Sequence, residues 1–226
     1  DWGGVVFLGV TGYYLASYLD FAGLQYISAS LERLILYVNP TLVVLAGWLV
    51  HRKPIRTKQW VAMAVSYAGV FLVFGHEVGL QGAHAALGSV LVLASAISYA
   101  LYLVYSGEMV KRLGSMRLVG LATSVACLCC IAQFLVLKPV DSLLQVAPPV
   151  VWLSLLNAVA CTAAPVLMVM MAIERLGSAL TSQIGMIGPI STILMGVWWL
   201  GEPFTGWTAA GTVAVLAGVT LLARWR

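Results

Sequence analysis

Three ionisable residues stand in apolar surroundings in the first part of the chain: Asp20, Glu32 and Arg33, the last two adjacent in LERLILYVNP (31–40). Two carboxyls and one guanidinium support two kinds of chemistry in a dry environment. They can form an ion pair that latches neighbouring elements, or a carboxyl can bind and release a proton. Glu32 falls in the first turn of its apolar run, where the helix dipole favours a carboxylate and Ser30 can act as a cap. The dipole disfavours Arg33 at the same place. We therefore expect Arg33 to face inward and pair with Asp20, or else to snorkel to headgroups. A ligand-binding role and a capping or gating pair are both open for Glu32 and Arg33.

A second group is made of hydroxyls. Ser95, Ser98, Tyr99 and Tyr102 are spaced i, i+3, i+4 and i+7, one face of a helix, and Ser106 roughly continues it. Thr11, Tyr14 and Tyr18 form a shorter row at i, i+3 and i+7. Such rows line a polar path, or else they bond across helices or to their own backbone. Tyr37, Asn39 and Gln183 complete a candidate substrate-binding set of Tyr14, Tyr18, Arg33, Tyr37, Asn39, Ser95, Tyr99, Tyr102 and Gln183. Pro40 and Pro189 sit inside apolar runs, where each removes a backbone donor and kinks its helix, so both are candidate hinges. Asn39 stands ready to bond a carbonyl freed by the first kink.

Other chemistries find little support. Cys127, Cys129, Cys130 and Cys161 lie within apolar runs and have no His or carboxylate nearby in sequence, so no metal site is expected. His51 belongs to a basic loop, and His76 and His84 flank an uncharged one where we expect them to be solvated. No nucleotide loop or catalytic triad is present, and neither a cofactor nor an enzymatic activity is expected.

The elements that must position these residues follow from composition. The chain is 62% hydrophobic and 9% charged, with a mean hydropathy of +0.99. A soluble domain carries about 25% charged residues. Charge this sparse cannot cover a water-exposed surface, so the solvent is lipid. Eight apolar segments are long enough to span a bilayer: Gly3–Leu24, Leu31–Val50, Lys58–Phe74, Leu87–Val110, Met116–Leu137, Pro149–Ile173, Ala179–Leu200 and Gly206–Ala223. Their length and lack of period-two alternation exclude strands. The predicted fold class is an all-α polytopic membrane protein.

If the segments alternate in direction, ten of the twelve Lys and Arg residues fall on one side and only Arg33 and Lys138 on the other. The first side is then cytoplasmic, and both ends of the chain lie there. Clusters of this kind orient helices, so no nucleic-acid partner is expected.

The chain also repeats itself. A shift of 149 residues places segments one to three on six to eight without a gap, matching Pro40 with Pro189, Gly47 with Gly196, Pro54 with Pro203, and AGV (68–70) with AGV (217–219). An offset of five segments, an odd number, makes the copies cross the membrane in opposite directions. Inverted repeats mark secondary transporters, whose substrate site lies between the halves. The first copy shows three helices and the second five. The expectation is therefore eight helices of a ten-helix whole, with two preceding Asp1, and with residues 1–76 and 86–226 as the two repeats.

These residues resemble the drug/metabolite transporter superfamily, EamA type. The resemblance is carried by LQYISASLERLILYVNPTLVVLAGWLV (24–50), AGVFLVF (68–74) and ERLGSALTSQIGMIGPISTILMGVWWLGEPFTGWTAAGTVAVLAGVTLL (174–222). His51-Arg52-Lys53-Pro54 stands where the first half of such proteins often has Gly-Glu. The resemblance implies two inverted five-helix repeats and a small-molecule substrate. The resulting expectation is a secondary transporter in the cell (inner) membrane that exports or exchanges an amino acid, nucleobase or drug-like metabolite by alternating access. Its C-terminus is cytoplasmic, and Asp20 and Glu32 serve coupling, with a proton as the candidate ion, or gating. The alternative is a membrane scaffold without transport, or an intramembrane enzyme.

Overall fold

The computed structural model describes residues 2–52, 55–81, 83–139, 141, 146–184, 195, 197–199, 201 and 205–224. Among these, every regular element is a helix. In chain order they are α1 (Trp2–Leu24), α2 (Ala29–Leu36), α3 (Asn39–His51), α4 (Thr57–Gln81), α5 (Ala83–Leu113), α6 (Ser115–Leu137), α7 (Pro148–Leu176), α8 (Ser178–Ile184) and α9 (Gly206–Arg224).

Six stretches of the described residues are long and apolar enough to cross a membrane, and they match the first six segments read from the sequence. The count of eight is not reached. Only the beginning of the seventh segment is described, as α8, and the apolar part of the eighth, Ala209–Leu222, is shorter than a full span. Pro189 and Pro203 lie outside the described residues, and of Gln183 only the helical backbone is described.

The connections follow from local chemistry. Gly114 alone joins α5 to α6 and Gly177 alone joins α7 to α8, with φ of 75° and 83°. Glycine takes this left-handed backbone without a Cβ penalty, so the chain reverses within one residue. The cap of α2 is Ser28, whose Oγ accepts from Leu31 N at 3.1 Å, and not Ser30. The helix begins at Ala29, which places Ser30 inside its first turn.

The second apolar segment is not one kinked helix. It breaks at Tyr37-Val38, and α3 restarts with Pro40 in its first turn, where a missing N–H costs nothing. The expected role of Asn39 passes to Thr41. Its hydroxyl donates to the Val38 carbonyl at 2.7 Å, and Thr41 N donates to the same oxygen. Two π-helical turns, Gly9–Leu15 in α1 and Asn157–Ala163 in α7, further depart from simple helices.

α5 is the central element, packed by α1, α2, α3, α4, α6, α7 and α8. Its serines fasten it to α1: Ser95 Oγ donates to the Ala16 carbonyl and Ser98 Oγ to the Thr11 carbonyl, both at 2.7 Å. The Thr11 carbonyl lies within the π-turn, where the helical ladder is irregular. α4 and α9 cross closely. A Cβ on Gly69 would sit 2.7 Å from the Gly211 carbonyl, and one on Gly218 would sit 2.6 Å from the Ala62 carbonyl. Gly211 and Gly218 are the residues 149 positions beyond Ala62 and Gly69, so the contact is reciprocal, as a two-fold axis makes it. Small residues at a crossing are the usual means of close helix packing in lipid. The outward faces of α6 and α7 carry exposed Leu128, Val136, Trp152 and Leu156, a surface suited to acyl chains and not to water.

Candidate functional site

One cavity of about 670 Å³ opens between α1, α5, α7, α8 and the α2–α3 break. α1 contributes Gly12, Tyr13, Ala16, Ser17, Asp20 and Phe21. The break contributes Tyr37, Asn39 and Pro40, and α5 contributes Ser95, Tyr99, Tyr102 and Leu103. The facing wall comes from the π-turn of α7, with Asn157, Cys161 and Thr162, and from Thr181 and Ser182 of α8. The volume suits a small organic molecule.

The floor is aromatic. The Tyr13 and Tyr102 hydroxyls share a hydrogen bond and their rings meet edge to face at 5.0 Å. Tyr99 stacks on Tyr102 at 5.5 Å. A Cβ on Gly12 would lie 2.3 Å from the Tyr102 ring, so glycine there lets the ring rest against the α1 backbone. The hydroxyl row of α5 divides. Ser95, Tyr99 and Tyr102 line the cavity, whereas Ser98 and Ser106 donate to backbone carbonyls and serve packing.

The row expected on α1 does not face the cavity. Tyr14 and Tyr18 stack on each other at 6.4 Å, with Tyr18 half exposed, and neither contributes to the wall. Tyr13, Ser17 and Asp20 take their place. The π-turn explains the shift: it widens the winding between Gly9 and Leu15, so a 3.6-residue projection points to the wrong face.

Glu32 is fully buried and pairs with its sequence neighbour, Arg33 Nε lying 3.0 Å from Glu32 Oε2. The expected Arg33–Asp20 pair is thus replaced by Arg33–Glu32. Asp20, from α1, lies close enough to feel the Arg33 charge. Only Asp20 of the three lines the cavity, and Arg33 itself does not. His84 is exposed, as expected, and stacks on Tyr26 at 6.0 Å, whereas His76 is half-buried and stacks on Trp207 at 5.9 Å.

Several wall residues were missed by the sequence reading. Tyr13 and Ser17 were hidden by the π-turn. Asn157 and Thr162 are isolated polar residues in the apolar run of α7, a signal that was present and went unused. Thr181 and Ser182 are the repeat counterparts of Glu32 and Arg33. Among the described residues, no group of His, Cys, Asp and Glu is placed to hold a metal ion.

Comparison with known proteins decides the family. The model of the EamA-like transporter family matches residues 1–75 and 86–224. The chain belongs to the EamA-like transporter family. A relative named as the uncharacterized transporter YcbK of Bacillus subtilis (strain 168) is 30% identical over 197 residues, covering 86% of this chain and 63% of its own length. The chain therefore spans somewhat under two thirds of that relative's length. One solved crystal structure of a protein superposes on 100% of this chain and 77% of its own, with a TM-score of 0.66 and 19% identity, a likeness of fold.

Proposed function

We propose that the protein is a secondary transporter that exports or exchanges a small organic metabolite across the cytoplasmic (inner) membrane by alternating access, with a cytoplasmic C-terminus. The observation that carries this reading is the cavity. It lies between helices of residues 1–76 and helices of residues 86–226, beside a discontinuous helix, the arrangement in which transporter sites form. Family membership supports it. The tyrosine floor and the few charges favour amino acids, nucleobases or drug-like amphipathic solutes over highly charged ones.

Asp20 and Glu32 act in coupling or gating. A carboxyl in a dry environment can bind and release a proton, and Asp20 lines the cavity, so coupling to a proton is the reading favoured for it. The break before Pro40 is the hinge on the first side, and Pro189 its counterpart on the other.

Counterflow in proteoliposomes, with the full-length protein and a panel of amino acids, nucleobases and amphipathic amines, tests the function. Saturable exchange of at least one class is expected. Tyr99→Ala should change its affinity about tenfold, the scale of losing a stacking partner in a buried site. No exchange of any solute by correctly inserted protein would leave the scaffold reading standing.

A further inference from the structure

Three wall residues carry an oxygen that is buried and has no hydrogen-bond partner: Asp20 Oδ1, the Tyr37 hydroxyl and Asn39 Oδ1. Buried polar atoms are nearly always paired, so each exception needs a reason. The contrast within the same wall is plain, because Ser95 and Thr181 donate to backbone carbonyls. A carboxylate oxygen and an amide oxygen only accept, and a phenol can do so. What is missing from this corner is a set of donors.

Charge points the same way. Asp20, Glu32 and Arg33 bring two carboxyls to one guanidinium, and Asp20 is the member on the cavity. The Arg33 guanidinium is already paired with Glu32, so an ionised Asp20 presents its negative charge to the cavity. Beside it stand the rings of Tyr13, Phe21, Tyr99 and Tyr102. Aromatic faces attract ammonium groups and receive flat apolar bodies.

We propose that the cavity binds a primary ammonium group carried on an aromatic or apolar body. Asp20 is the counter-ion, and Tyr37 and Asn39 accept the remaining N–H bonds while the tyrosine rings hold the body. This deepens the transporter reading and rests on it, since the cavity is taken as the substrate site. The ammonium supplies the donors that the three oxygens lack and a positive charge opposite Asp20.

Binding of radiolabelled phenethylamine to the full-length protein in nanodiscs tests the assignment. Saturable binding is expected, with 2-phenylethanol competing at least about tenfold more weakly, because a charged hydrogen bond is lost. Asp20→Asn, which keeps shape and removes charge, should weaken phenethylamine by about tenfold or more, and Tyr37→Phe by a smaller factor. Equal competition by the alcohol would overturn the proposal, and so would unchanged affinity in Asp20→Asn. If Asp20→Asn fails to fold, the amine-against-alcohol comparison on the unaltered protein decides alone. Counterflow of neutral or anionic solutes without any phenethylamine binding would sink the ammonium site and leave the transporter standing. Saturable amine binding without counterflow of any solute would support the site and sink transport.

Discussion

Replacing Arg33 by Ala removes the cation beside a carboxylate that has no access to water. The Arg33–Glu32 separation is 3.0 Å, with Glu32 fully buried and Arg33 36% exposed. At an effective dielectric near 20, that distance gives a gross attraction of about 5.5 kcal/mol. Desolvation of the two ions cancels much of it, and removing one partner of a fully buried pair costs about 3–5 kcal/mol. The partial exposure of Arg33 lowers the figure, so Arg33→Ala should destabilise by about 2–3 kcal/mol. Glu32→Gln should cost less, about 1 kcal/mol, because the freed guanidinium can reach toward the interface on its flexible stem. The double variant should fall short of the sum by about 1–2 kcal/mol. Unfolding in dodecylmaltoside micelles titrated with SDS, followed by tryptophan fluorescence, measures all three. Additivity within about 0.5 kcal/mol would refute the pair. A stronger coupling of Arg33 to Asp20 than to Glu32, in the cycle with Asp20→Asn, would refute the assignment of partners.

Two further outcomes follow from the geometry and the charges. Gly12→Ala places a methyl against the Tyr102 ring, which is held by Tyr13 and Tyr99, and should cost about 1–3 kcal/mol in the same unfolding assay and narrow the cavity; a cost below about 0.5 kcal/mol would mean that the ring moves freely. Single cysteines at Arg56 and Met116 should react with impermeant maleimide only from the cytoplasmic face, and ones at His84 and Val146 only from the other; labelling of all four from one face would remove the inverted topology.

The sequence by itself determined the solvent of this protein, its helical class and its family. Those properties rest on composition and on apolar runs of about 17 residues or more, signals that tertiary contacts cannot reverse because lipid forbids unpaired backbone. It also marked Ser95, Tyr99 and Tyr102 as one face, since α5 is an unbroken helix and a 3.6-residue projection holds along it. Only the tertiary structure decided which face of α1 meets the cavity. A π-turn adds less than one residue of winding, which no periodicity resolves in a run this apolar, and it turned Tyr14 and Tyr18 away while bringing Tyr13, Ser17 and Asp20 in. The partner of Arg33 was likewise undetermined by order in the chain. Adjacent residues on a helix rarely face each other, and it took the burial of Glu32 under its neighbours, with Asp20 arriving from α1, to make the short-range pair the one that forms.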